Sequence, residues 1–436
     1  MFRPPTRLSS HRARVFITMM FLLLVGLIWA GPDKTAGQSQ EAVVAIGDVH
    51  GDFDDFLSIL QKVGVIDAQH HWTANKSTFV QVGDTLDRGP KPREVMDLLM
   101  SLEKEAPKAG GRVMSLLGNH EVMNLMGDLR YVTAENYASF ASSNSEERRK
   151  TAYQEYAKWH SSHAQLLAEL PQPMELTEAE WMARHPAGFI EQREAFSPNG
   201  AYGKWLREHS AVAKIGGVIF LHGGIHPDLA NLKLDAINAR IRDEVKAFDD
   251  AKQYLQDEKL ILPFFNLQEI TAVVQAELMA ERKSRVRSNE QRQARLMQFL
   301  GYRDWLSVRA DGPLWFRGYD QWGEEEGAVQ VGKLLVAYNA KHIAVGHTVQ
   351  KGGRIRPRFG GKVFLIDTGM LSSYYPGGRP SALEIRDDAK FTADYMDQRV
   401  VLLEPKGLSL RDGGMFVKPA LPEPDFASST VLIATP

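Results

Sequence analysis

The sequence predicts an α/β fold whose central strands are covered on both faces. Three observations carry that expectation. Short, mostly aliphatic runs recur along the chain, each stops at a glycine-containing polar cluster, and the early runs are separated by stretches with apolar residues at helical spacing.

The runs are Val43 to Ile46, Phe79 to Val82, Val113 to Leu117, Val218 to Leu221, Ile343 to Val345 and Val363 to Ile366. Four or five such residues bounded by glycine read as strands buried on both sides. Between the first two, Phe56, Leu57, Leu60 and Val63 lie at helical spacing; between the second and third, Val95, Leu98, Leu99 and Leu102 do the same. The chain therefore opens β-α-β-α-β. In such sheets ligands bind beyond the carboxyl ends of the strands, so residues distant in sequence converge there. Two polar stretches, about 131–208 and 232–309, read as helical insertions on a core spanning residues 40–376. The second of them contains the basic, helix-like run 281–295, expected to be a solvated helix face. Tyr153, Tyr156 and Trp159, at helical spacing, read as core. Residues 377–436 follow, with strand-like runs Ala382 to Ile385 and Val400 to Leu403 and a proline-containing tail.

With 436 residues and 44% hydrophobic side chains, the chain can bury a large core. Its formal charge of -2, spread over both signs, gives no footprint for nucleic acid, which is excluded as an expected partner. No cysteine is present, so any metal must be held by nitrogen and oxygen. Arg3, Arg7, Arg12 and Arg14 precede an uncharged apolar stretch from Val15 to Pro32. That layout makes residues 1–36 a signal peptide, with a signal anchor through residues 15–32 as the second reading. The domain beyond it is expected to be exported, periplasmic or extracellular, or else membrane-anchored.

The strand ends carry the chemistry. "GDVHG" (47–51), "GDTLDRG" (83–89), "GNHE" (118–121), "LHGG" (221–224) and "GHT" (346–348) place Asp, Asn and His at five of them. One such cluster is ordinary helix capping; five in succession suit a two-metal hydrolytic site. Two divalent cations need an anionic bridge between them and neutral or anionic ligands outside, and they activate a water for in-line attack on phosphorus. Asp84 can bridge. Asp48 and His50 would complete one metal, and Asn119, His222 and His347 the other.

Loss of the leaving oxygen calls for an acid, for which His120 is the candidate, with Asp87 orienting its imidazole. Arg88 can grip two phosphate oxygens in fork geometry, and Arg317 in "GPLWFRGY" (312–319) is the candidate for a second arginine. "GAVQVGKL" (327–334) nearly spells a phosphate-binding loop, but Leu334 stands where a hydroxyl is required.

In these blocks the sequence resembles the phosphoprotein phosphatase branch of the calcineurin-like metallophosphoesterases. "LHGGI", "GPLWFRGY", "AVGHTVQ" and "LIDTGM" look most like the Shewanella-like bacterial-type protein phosphatases. The resemblance covers about residues 43 to 376. It implies a four-layer αββα fold of two mixed sheets between helices, and a metal-dependent phosphomonoesterase. It places Asp48, His50 and Asp84 on one metal and Asp84, Asn119, His222 and His347 on the other, Arg88 and Asn119 at the phosphate, and the His120/Asp87 pair at the leaving group. Manganese is the usual activator in that family, while iron, zinc and cobalt also suit these ligands. The expected partner is a phosphoprotein or phosphopeptide, with phosphotyrosine and phosphoserine/threonine both open. The two insertions have no counterpart in the compact eukaryotic enzymes, so substrate recognition does not carry over. Rival readings are a small-molecule phosphatase, a nucleoside-polyphosphate pyrophosphohydrolase, and a non-catalytic metal-binding module.

Overall fold

The computed structural model describes residues 42–171, 175–283 and 289–405. The leader and the tail after 405 lie outside the described residues. Strand β1 (Val43–Ile46) runs parallel to β2 (Thr78–Gln81), which runs parallel to β3 (Arg112–Ser115). The connections are helices α1 (Phe53–Lys62) and α2 (Pro92–Glu105). On the other edge of β1, the antiparallel strands β9 (Ser381–Arg386), β10 (Lys390–Tyr395) and β11 (Arg399–Leu403) complete a six-stranded sheet. A second, five-stranded sheet has the order β4 (Val212–Ile215), β5 (Val218–Leu221), β6 (His342–Val345), β8 (Val363–Leu365), β7 (Arg356–Arg358). Its inner pairs are parallel and its two outer pairs antiparallel.

Alternation along each strand feeds two cores. Val44, Ile46 and Phe79 pack with Phe56, Leu60, Val95 and Leu99 of the helices. Val43, Ala45 and Val80 face the other way and join Phe220, Ala344, Phe364 and Phe391 in a core lined by both sheets. Phe364 and Phe391, from different sheets, stack with centroids 4.2 Å apart. Burial on both faces explains why the central strands read as unbroken apolar runs. The outcome is a pair of face-to-face mixed sheets with helices outside, as the resemblance implied.

Three strands left no such signal. β4 is joined to β5 by the Gly216-Gly217 hairpin, so the two read as one run. β7 is an edge strand of sequence Arg-Pro-Arg. β10 buries Thr392 and Asp394.

Helices fill both polar stretches. Tyr156 and Trp159 of α4 (Ser145–Ser162) are buried among Trp181, Phe264 and Phe265, and Trp159 Nε1 donates to Leu260 O at 3.1 Å, tying one stretch to the other. The long helix α5 (Leu234–Asp257) is stitched to β4 by Asn238, whose Oδ1 accepts from Ala211 N at 2.9 Å and Val212 N at 3.0 Å. The described residues of the basic run 281–295 are mostly exposed, as expected of a solvated face. α6 (Leu267–Lys283) enters it, residues 284–288 lie outside the described residues, and α7 (Glu290–Leu300) starts behind the Asn289 cap. Arg292 then reaches back to Glu277 and Glu281 of α6, so this part of the run is an ion-paired seam between two helices. Residues 327–334 lie inside α8 (Glu324–Ala337), which disposes of a phosphate-binding loop. No helix among the described residues is long and apolar enough to cross a membrane.

Candidate metal centre

The polar residues at the carboxyl ends of β1, β2, β3, β5 and β6 meet in one buried cluster where the two sheets face each other. Two hydrogen bonds join the sheets there: Asp48 Oδ1 accepts from His347 N at 2.9 Å, and the His222 ring pairs through Nδ1 with Val82 O at 3.1 Å. His50, Asp84, Asp87, Arg88 and His347 all have positive φ, between 49° and 66°. Side chains at such angles persist only where surrounding contacts impose them.

The turn carrying Asp84 shows how. Gly83 has φ 100°, and a Cβ there would lie 2.3 Å from Gly118 N, so the β2 and β3 turns approach as closely as backbone allows. Glu121, in the first turn of α3 (Asn119–Met126), clamps the pair. Its carboxylate accepts from Asp84 N (2.8 Å), Thr85 N (2.8 Å), Thr85 Oγ1 (2.7 Å) and Gly118 N (2.7 Å). Asp84 Oδ1 in turn accepts from His120 N at 3.0 Å, leaving Oδ2 to the cluster centre.

Around Asp84 Oδ2 lie His222 Nε2 at 3.1 Å and both His50 Nε2 and His120 Nε2 at 3.7 Å. Asp48 Oδ2 is also 3.7 Å from His50 Nε2. On the other side, His222 Nε2 lies 2.9 Å from Asn119 Oδ1 and 3.1 Å from His347 Nδ1. Asp84 thus belongs to both groups of residues, one toward His50 and one toward His222 and His347.

Ring orientation sorts the histidines. His50 Nδ1 lies 2.8 Å from Leu86 O, His222 Nδ1 3.1 Å from Val82 O, and His347 Nε2 3.1 Å from Trp315 O. A carbonyl can only accept, so each of these nitrogens carries the proton. The opposite nitrogen, with its free lone pair, then points into the cluster. This is the outer-shell arrangement of metal-ligating imidazoles. Such a ring must stay neutral to ligate, and burial holds His50 and His347 well below the ordinary histidine pKa. His120 differs. Its Nδ1 faces the Asp87 carboxylate at 2.6 Å. Burial opposes its protonation, but Asp84 and Asp87 outweigh it, and its pKa stands above the ordinary value.

Carboxylates crowd the same floor. Burial, with Asp367 and Asp84 adding to it, raises Asp48 well above the usual range. Burial likewise pushes Asp367 up to about 6, and one of its oxygens has no hydrogen-bond partner. Only Asp84 is held down: burial would raise it, but His222, when its Nε2 carries a proton, and His120 prevail, and a divalent cation would take the place of that proton. Buried acids in this number, beside imidazoles aimed at them by their lone pairs, fit divalent cations.

Arg88 reaches over the cluster. Its guanidinium lies over the rings of Tyr131, Tyr374 and Tyr375 at 5.4, 5.1 and 5.5 Å, and donates to Tyr375 Oη at 2.6 Å. It also contacts His50 Nε2, and lies 3.2 Å from His120 Nε2. Arg317 is the outlier among the residues named from sequence. It sits exposed at the rim, where Nη1 donates to His347 O at 3.0 Å and Thr348 Oγ1 at 3.1 Å.

Residues 42–351 match the family model for calcineurin-like phosphoesterases. The chain belongs to that family. As a calcineurin-like phosphoesterase it is a hydrolytic phosphatase, with relatives that are named accordingly. It is 32% identical over 225 residues to Shewanella-like protein phosphatase 2 of Arabidopsis thaliana, covering 49% of this chain and 54% of that protein. Against Shewanella-like protein phosphatase 1 of Plasmodium berghei it is 26% identical over 355 residues, covering 80% and 73%. The crystal structure of a cold-active protein-tyrosine phosphatase from a psychrophilic Shewanella species superposes with a TM-score of 0.53 at 25% identity, covering 83% of this chain and 80% of that one.

Several residues of this phosphoesterase's site were not assigned a role from sequence. Asp367 closes β8 in the same apolar-run-then-Asp pattern that marked Asp48 and Asp84, so its signal was present. Glu121 stood inside "GNHE", but its clamp depends on a turn 36 residues away. Tyr131, Tyr374, Tyr375 and Asn124 carry no local signature of their positions.

Proposed function

We propose that this phosphoesterase removes phosphate from phosphoprotein monoesters with the help of two divalent metal ions. Asp48, His50 and Asp84 would hold one ion, and Asp84, Asn119, His222 and His347 the other. The observation that carries the proposal is the orientation of the three imidazoles, each with its N–H spent on a backbone carbonyl and its lone pair turned to the shared carboxylates. Such ions, when bound, supply a nucleophile at neutral pH and a Lewis acid for the phosphoryl oxygens. Manganese is the first candidate, followed by iron, zinc and cobalt.

The chain's own groups do the rest. Arg88, propped among three tyrosines, presents its fork to the phosphate oxygens, with Asn119 and the rim residue Arg317 as further candidates to hold them. His120 donates its Nε2 proton to the departing oxygen. Asp87 fixes Nδ1 of that ring, and Asn124 Nδ2 donates to Asp87 Oδ1 at 2.9 Å to hold the carboxylate in turn. A protein substrate is favoured by the relatives' names, and tyrosine by the Shewanella structure. The sequence of residues 1–36, read as a leader, supports a location outside the cytoplasm, free or anchored.

The test is hydrolysis of paired phosphotyrosine and phosphothreonine peptides by the domain from residue 38, after chelation and readdition of Mn(II). Turnover of either peptide only with metal supports the reading, and the preferred peptide names the substrate class. Cleavage of a small phosphate ester or a dinucleoside polyphosphate with neither peptide cleaved leaves the metal centre and removes the protein substrate.

A further inference from the structure

A cavity of about 320 Å³ is lined by Arg193, Glu194, Ser197, Asn199, Asp249 and Lys252 among others. Its charges are unevenly satisfied. Asp249 is engaged by Arg207 at 2.7 Å, and Glu194 by Arg148. The two cations are not so matched. The Arg193 side chain, 6% exposed, donates from Nη1 to Asn124 O at 3.1 Å, while its Nε is buried without a partner. Lys252 makes no hydrogen bond or ion pair among the described residues. Glu269, the other acid near them, accepts from Asn266 N at 2.8 Å and is pushed up to about 7 by burial. Burial beside Arg193 brings Lys252 down to about 7. Arg193 is buried with one N–H unspent, and Lys252, only half-buried and facing Asp249 and Glu269, adds a second cation to the same wall, which leaves donors for an anion there.

The same arginine is joined to the proposed acid through Asn124. Asn124, which takes the Arg193 hydrogen bond on its carbonyl, donates through its side chain to Asp87, and Gln192 Nε2 holds Asn124 Oδ1 at 2.8 Å. We infer that Arg193 and Lys252 form a second anion-binding site, for a phosphate-bearing small molecule, whose occupancy bears on the His120/Asp87 pair through Asn124. The volume suits a small ligand, and a guanidinium beside an ammonium suits a phosphate oxygen set. Asn124 is the positioning residue between the sites. The link to catalysis rests on the reading of His120 as the acid; the binding site itself does not.

Binding is therefore measured first on the metal-free protein, where no turnover occurs, by titrating inorganic phosphate and, separately, phosphoserine. The wild type and Lys252→Arg should bind, and Lys252→Met should bind at least about tenfold more weakly, as befits a lost charge-assisted contact. Tighter binding of phosphoserine identifies an organic phosphate as the ligand, and equal binding identifies free phosphate. Equal affinity in wild type and Lys252→Met overturns the site. The link is then read from phosphate inhibition of the Mn(II)-loaded enzyme. Competition at the metal centre raises the apparent KM in every variant, whereas a change in kcat should appear in wild type and Lys252→Arg and vanish in Lys252→Met and Asn124→Ala. A kcat change that persists in both variants overturns the link.

Discussion

Glu121→Gln is an almost isosteric change that probes how the candidate metal centre is held. The carboxylate receives four hydrogen bonds, three of them from backbone N–H groups, and is 1% exposed. Glutamine keeps one acceptor oxygen and replaces the other with an NH2 group. Two of the four donors then face a donor. A buried donor left unmade costs about 1–3 kcal/mol, so the change should cost about 2 to 6 kcal/mol. That is a large part of a typical domain's stability. Because Asp84 N is among the four donors, the φ 57° turn that aims Asp84 also loosens, and metal affinity should fall about 10- to 100-fold, the usual effect of losing an outer-shell partner. Urea unfolding gives the first quantity and activity titrated against Mn(II) the second. A Glu121→Gln protein with both unchanged refutes the idea that this carboxylate builds the turn.

Two other changes bear on separate parts of the account. His120→Asn should lower kcat on phosphoserine peptide by about 100-fold or more, and less on an aryl phosphate whose leaving group needs no proton; equal losses on both substrates would remove His120 as the acid. His185, stacked on Trp181 at 4.2 Å and bonded through Nδ1 to Trp181 O at 2.8 Å, is pushed down to about 4 by burial. Its ring is neutral in the folded and unfolded chain above about pH 6.5, so its burial costs nothing there; as pH falls from 6.5 to 4 the unfolded chain takes the proton first, and stability drops by about 3 kcal/mol at most. His185→Gln should flatten that part of the stability–pH curve, and parallel curves for the two proteins would contradict the assignment.

The strands and candidate site residues that sequence made legible share one cause. Central strands buried on both faces must be apolar throughout, and a site at their carboxyl ends must follow each run directly, so Val43 to Ile46 and Asp48, or Val218 to Leu221 and His222, announce one another. What stayed hidden depends on distant partners. β10 buries Thr392 and Asp394 and so shows no apolar run, and β7 is a short edge strand containing Pro357. The pairing of Arg292 with Glu277 and Glu281 was hidden too, because those acids lie 15 and 11 positions earlier on α6, against which it folds back. Tyr375 reaches Arg88 across 287 positions, a distance no local pattern encodes.

The pair of metal ions proposed to share Asp84 can be counted. After loading with Mn(II) and exhaustive dialysis, elemental analysis of the wild type should find about two equivalents per chain, and Asp84→Asn should retain neither ion firmly and lose turnover. Asp84→Asn that keeps both the metal content and the activity of the wild type would contradict the account at its root.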